Sequence, residues 1–131
     1  QSIAHELGLK MYVLSATYPV KANEYHFDKI FALANIKTFI SLLADADFVV
    51  ASSFHGTAFS VNFNKDFITI SADKYNIRME SLVKQFGISH RIVSTTKVKY
   101  SDLKTIDYKL LNTNLENERL RSLNILQSFL N

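Results

Sequence analysis

The 131-residue chain has no cysteine and no tryptophan, one proline and three glycines. Without cysteine, neither a disulfide framework nor a thiolate metal site can form, which fits a reducing compartment. The glycines stand alone at Gly8, Gly56 and Gly87, so no glycine-rich phosphate loop is present. No apolar run reaches the ~18 residues of a membrane span, and no signal peptide is visible. The net charge of +3 is scattered rather than gathered into a basic arm, which argues against nucleic acid as a partner. His5, His26 and His90 lack metal-ligand spacing, so no metal site is expected. The carboxylate pairs Asp45/Asp47 and Glu116/Glu118 stand at i, i+2, which splays them apart on a helix.

What is present is a core. Hydrophobic residues make up 47% of the chain, enough for one folded domain over residues 1–131. Ile3, Ala4 and Leu7, closed by Gly8, read as the end of a helix. The chain opens at Gln1 inside that pattern, so it is read as part of a longer protein. Residues 10–17 predict a buried strand, residues 18–28 a polar loop holding Pro19, and residues 27–34 a second short strand. Asn35 is a candidate N-cap, followed by Ile36, Phe39, Ile40 and Leu43 at helical spacing. Residues 47–51 and 67–71 read as β-branched strands. Between them Phe54, Ala58 and Val61 form a helical face, widened by Phe59 and Phe63. Met79, Leu82, Val83 and Phe86 line another helix, starting near Asn76 and stopped by Gly87. Residues 91–93 predict a short strand, and residues 95–105 a polar connection. Asp107 caps a last helix, with Ile106 and Leu111 placed as a hydrophobic staple and an apolar stripe of Leu111, Leu115, Leu123, Leu126 and Leu130. Alternating strands and helices predict an α/β fold: a Rossmann-like parallel sheet flanked by helices.

The chemistry concentrates in Ser52-Ser53-Phe54-His55-Gly56-Thr57, which follows a strand and opens a helix. A helix N-terminus at the end of a parallel strand collects anions, because its free N–H groups and the positive end of its dipole point there. A histidine titrates near pH ~6.5, so His55 there could bind a phosphate as a cation or act as a general acid. Helix capping is the plainer role for such a histidine. Ser52 and Ser53 can cap the helix or donate to an oxyanion. Gly56 permits close approach of a ligand or of the sheet. Arg78 follows the next strand, at the same edge, and Arg91 reads as structural.

The segment from Ala46-Asp47 through Ser53-Phe54-His55-Gly56-Thr57 to Asn64-Lys65-Asp66-Phe67 resembles the polysaccharide pyruvyl transferase family. Arg78, Leu82, Gly87 and Arg91 downstream fit that pattern, as do Ile106-Asp107-Tyr108 and the helix carrying Arg119, Arg121, Ser122, Phe129 and Leu130. Two positions depart from it. Asp66 stands where the family usually has proline, a change expected to touch only the turn. Ser53 stands where some members have arginine.

The resemblance implies the C-terminal lobe of a two-lobed, GT-B-like transferase. Such an enzyme moves an enolpyruvyl unit from phosphoenolpyruvate to hydroxyls of a cell-surface polysaccharide (an exopolysaccharide) or its lipid-linked precursor, forming a pyruvate ketal. It implies a catalytic role for His55 and substrate contacts from Ser52, Ser53, Gly56, Thr57 and Arg78. No cofactor beyond the donor is expected, and the location is cytoplasmic or peripheral at the inner face of the membrane. The N-terminal lobe would be a partner, and this chain alone is expected to be inactive. Two rival readings remain: a GT-B-like glycosyltransferase using a nucleotide sugar, and a non-catalytic binding or assembly domain.

Overall fold

A computed structural model describes residues 1–15, 26–71, 77–94 and 97–130. The elements run α1 (Ser2–Leu7), β1 (Tyr12–Ser15), β2 (Lys29–Ala32), α2 (Ile36–Asp45), β3 (Phe48–Ala51), α3 (Phe54–Asn62), β4 (Asp66–Ile70), α4 (Ile77–Gln85), β5 (Ile92–Val93) and α5 (Tyr108–Leu130). Short 3-10 turns cover Ser89–Arg91 and Tyr100–Asp102. Residues 16–25, with most of the expected Pro19 loop and the end of the first strand, lie outside the described residues. So do the expected helix start at Asn76 and the start of the polar connection.

All strand pairs are parallel, as the alternating pattern predicts. The described strands form two sheets rather than one, β1-β2 and β3-β4-β5. In the second, Phe48 aligns with Asp66 and Ala51 with Thr69, while Thr69 aligns with Ile92. The first strand was expected to be buried. Instead Tyr12 is half exposed, and Lys29 and Ile30 on β2 also face solvent, so this pair is covered less than β3-β4-β5.

The predicted helix ends are built from the expected residues. Asn35 Oδ1 accepts from Thr38 N at 2.9 Å, and Asp107 Oδ1 accepts from Leu110 N at 3.0 Å. Gly87 ends α4 at φ +71, and Ile88 N donates back to Val83 O at 2.8 Å. That left-handed turn carries little strain for glycine and lets the chain reverse under the sheet.

The core joins Val49 and Ala51 of β3, Val61 of α3, Phe67 of β4, Val83 of α4, and Phe86, Ile88, Ile106 and Leu111. The stripe on α5 is only partly core. Leu111 is buried and Leu115 packs on the cluster, but Leu123, Leu126 and Leu130 are exposed because the 23-residue helix outruns the domain it packs on. Among the described residues no helix is long and apolar enough to cross a membrane. Ile36 also turns outward, because it opens α2 beyond the packed face.

Asp66 does more than shape a turn. It opens β4, and its Oδ1 lies 2.7 Å from Nη1 of the buried Arg91. The same Nη1 donates to Phe67 O at 3.2 Å, while Nε has no partner among the described residues. The Tyr100 hydroxyl donates to Asp66 Oδ2 at 2.9 Å, and this bond with the Asp66 charge raises the tyrosine pKa. Tyr100 N and Ser101 N in turn donate to the Glu6 carboxylate, which holds α1 to the rest. Arg91 is structural, as the sequence suggests.

Two predictions follow from this end of the sheet. Asp66→Ala leaves the Arg91 guanidinium buried without its counter-charge, and urea unfolding should show a loss of about 3 kcal/mol. Tyr100→Phe should cost only about 1 kcal/mol. The second concerns His90, whose Nε2 is buried without a partner among the described residues. Burial lowers its pKa, and the Arg91 and Lys104 charges lower it further, against a raising hydrogen bond with the Thr105 backbone. The folded state therefore disfavours protonation, so stability is full above about pH 6.5 and falls as pH drops through the folded pKa. A pH series of melting temperatures should show this decline, and His90→Gln should flatten it.

Candidate functional site

In a parallel sheet every strand delivers the chain to the same edge. β3 ends at Ala51 and α3 begins at Phe54, so Ser52 and Ser53 form the whole connection. Ser53 is extended (φ −131°, ψ 154°), and its Oγ accepts from Gly56 N at 3.1 Å. Its carbonyl accepts from Thr57 N at 3.1 Å. The amides of Phe54 and His55 come before the first helical hydrogen bond and have no acceptor within the helix. They and the helix dipole form a positive end at the sheet edge.

The rotation of α3 about its axis is fixed from below. Gly56 is buried, and a Cβ there would stand 3.2 Å from Ala51 Cβ and 3.2 Å from Ser53 Oγ. Thr57 is fully buried, with its hydroxyl 2.9 Å from Thr69 Oγ1 of β4. Thr57 donates its one proton to Ser53 O at 3.0 Å, so Thr69 donates to Thr57. Ser60 Oγ, also buried, donates to Gly56 O at 2.7 Å. Residues two apart on a helix differ by about 200°. With Thr57 facing the sheet, His55 must face away, and it is exposed.

Ser52, Ser53, His55 and Arg78 share this exposed edge. Arg78 is the second residue of α4, and its guanidinium carbon lies 5.4 Å from the Phe54 ring centroid. The His55 ring meets the same phenyl edge-on at 5.8 Å. Phe54 thus draws together the two basic side chains that sequence reading placed at this edge.

Two of the expected substrate contacts, Thr57 and Gly56, are buried against the sheet. Thr57 has no exposed surface, because its hydroxyl joins α3 to β4 and lies 3.7 Å from Met79 Sδ on α4. Gly56 gives its amide to Ser53 and its open face to Ala51, so it serves helix–sheet packing. Sequence reading missed Phe54 as part of the site, since its spacing to Ala58 and Val61 assigns it to the core. Only its place beside His55 marked it. Among the described residues, no three His, Asp or Glu side chains gather as a metal site.

This geometry separates exposed from supporting residues by stability. Thr57→Val leaves Thr69 without its buried partner and should lower unfolding free energy by about 1–3 kcal/mol. Thr57→Val combined with Thr69→Val should recover part of that loss. His55→Ala should stay within about 0.5 kcal/mol of the parent, as an exposed substitution. Chemical denaturation of the four chains measures all of these.

A family model described as polysaccharide pyruvyl transferase matches residues 3–74, over half of the 131-residue chain. The match spans β1 through β4 and includes the whole Ser52–Thr57 turn. Neither the search of curated proteins nor that of solved structures gave a match. The exposed histidine on a helix N-terminus, in a parallel α/β frame that fits the expected Rossmann-like class, therefore stands within a recognised sequence pattern, and the chain belongs to the polysaccharide pyruvyl transferase family.

Proposed function

We propose that the edge around His55 binds the donor of a pyruvyl transfer, phosphoenolpyruvate, and that the chain is the donor-binding lobe of a two-lobed GT-B-like enzyme. The carrying observation is the exposed His55, placed beside two helix amides without helical acceptors and next to Arg78. A small trianion needs concentrated N–H donors and cations, and this edge supplies both. Ser52 and Ser53 add hydroxyls, and Ser53 can donate its proton while its oxygen caps the helix.

The reaction adds two sugar hydroxyls to C2 of the enol, breaks the C2–O bond to phosphate and leaves a ketal. One hydroxyl proton ends on C3, making the methyl group, and the other ends on phosphate. His55 as imidazolium either neutralises the phosphate or gives a proton to the reacting enol. No redox step is involved and no further cofactor is needed. The acceptor is a polysaccharide or its lipid-linked precursor, and work on such an acceptor suits the cytoplasmic side of the membrane.

The openness of the site supports the two-lobe reading. Fixed charges act strongly on a transition state only where water is excluded, and every basic group here faces solvent. A second lobe would close the site, carry the acceptor and supply the base that takes the hydroxyl proton. The isolated chain should therefore bind donor without turnover.

Calorimetry with phosphoenolpyruvate should show binding to the chain that disappears in His55→Ala. In the complete protein the same substitution should lower ketal formation by at least about 100-fold, the scale of a lost general acid or base. Melting temperature should not change. Stabilisation by a nucleoside diphosphate, with none by phosphoenolpyruvate, would move the assignment to a nucleotide-sugar transferase.

A further inference from the structure

We propose that Phe54 is a positioning residue, whose ring holds the Arg78 guanidinium at the anion-binding edge without neutralising it. The proposal rests on the donor-site reading above. Phe54 is the first residue of α3 and only half-buried, so its ring is not consumed by the core. One ring contact is with His55, edge-on at 5.8 Å and 81°. Another is with Arg78, whose guanidinium carbon lies 5.4 Å from the ring centroid, within the ~6 Å reach of a cation–π contact.

The absence of a carboxylate partner for Arg78 among the described residues is as telling. The ion pairs among the described residues engage Arg91, Arg119 and Arg121 with carboxylates, and none engages Arg78. An arginine has large rotamer freedom, and an exposed one without a partner samples much of it. A carboxylate would hold it in place but would cancel its charge and occupy its N–H fork. A phenyl face holds it by its quadrupole and accepts none of those hydrogen bonds. The guanidinium stays fully charged, and its donors, without a partner among the described residues, can take a planar carboxylate or a phosphate. This explains why a bulky apolar residue stands half-exposed beside the histidine.

The test uses the complete protein with Phe54→Leu, which keeps apolar bulk and removes the ring, and Phe54→Tyr, which restores the ring. Phe54→Leu should raise KM for phosphoenolpyruvate about 3- to 10-fold, the scale of one cation–π contact. It should change kcat less than two-fold (roughly, if Arg78 acts mainly in binding) and leave the melting temperature in place. Phe54→Tyr should return KM to the parent value. In an Arg78→Ala background, Phe54→Leu should have no further effect on KM, since the ring acts through the guanidinium.

A full additional KM increase in that background, or an unchanged KM in the single variant, would overturn the proposal. A readout independent of substrate covers variants that fold poorly. NMR of the parent should show the Arg78 side-chain protons shifted upfield by the Phe54 ring, and absence of that shift also overturns it. If the parent neither binds nor turns over phosphoenolpyruvate while the shift is present, the donor reading fails and the ring–arginine contact stands.

Discussion

The docking of α3 on β3 and β4 sets the direction of the exposed groups that α3 brings to the site. It depends on a glycine where a side chain would be tightly crowded and on two buried hydroxyls hydrogen-bonded to each other. Any side chain at Gly56 would press on Ala51 and on the Ser53 cap at once. The Thr57–Thr69 pair then opposes rolling of the helix, because a rolled helix would take the Thr57 oxygen away from the buried Thr69 hydroxyl. Backbone N–H groups at the helix start are aimed by the same constraint. The exposed face of α3 is thus specified by its buried face.

The two edges of the β3-β4-β5 sheet carry different chemistry. At the N-terminal edge, Asp66, Arg91 and Tyr100 form a closed set of opposite charges and hydrogen bonds that tie α1 and β4 together. Charge there is cancelled, as burial requires. At the C-terminal edge, the exposed Arg78 has no carboxylate partner among the described residues, and the first amides of α3 have no helical acceptor. A fold tolerates such an arrangement only where solvent or a ligand compensates it. This division matches the general tendency of open parallel sheets to bind ligands beyond the carboxyl ends of their strands.

Much of this was legible in the sequence where the signal is local. Asn35 and Asp107 mark their helix starts because a short polar side chain can reach its own backbone, and Gly87 marks a stop because it takes the left-handed turn. The strand–turn–helix at His55 was legible for the same reason. Contacts between distant positions were not. Nothing near Asp66 announces that a residue in place of a proline would meet Arg91 and Tyr100, which lie 25 and 34 positions away. Thr57 read as a ligand group because composition gives its chemistry but not its face, and the face is set by Thr69 on another strand. Phe54 failed in the opposite sense, since helical spacing assigns an aromatic residue to the core before a neighbouring helix offers it an arginine.

The exposure of His55 and Arg78 bears on what this edge can do on its own. Like charges near one another repel, and water screening makes that tolerable at an exposed edge. On the proposed reading, an arriving dianion or trianion would gain by meeting the basic side chains and the helix amides together. The less water remains when it arrives, the larger that gain becomes. An open edge of this kind can select an anionic donor but does little to accelerate its reaction. Closure by a second surface would convert the same charges from binding groups into groups that act on the transition state. That is the physical reason behind proposing donor binding for this chain and looking elsewhere for the walls that exclude solvent.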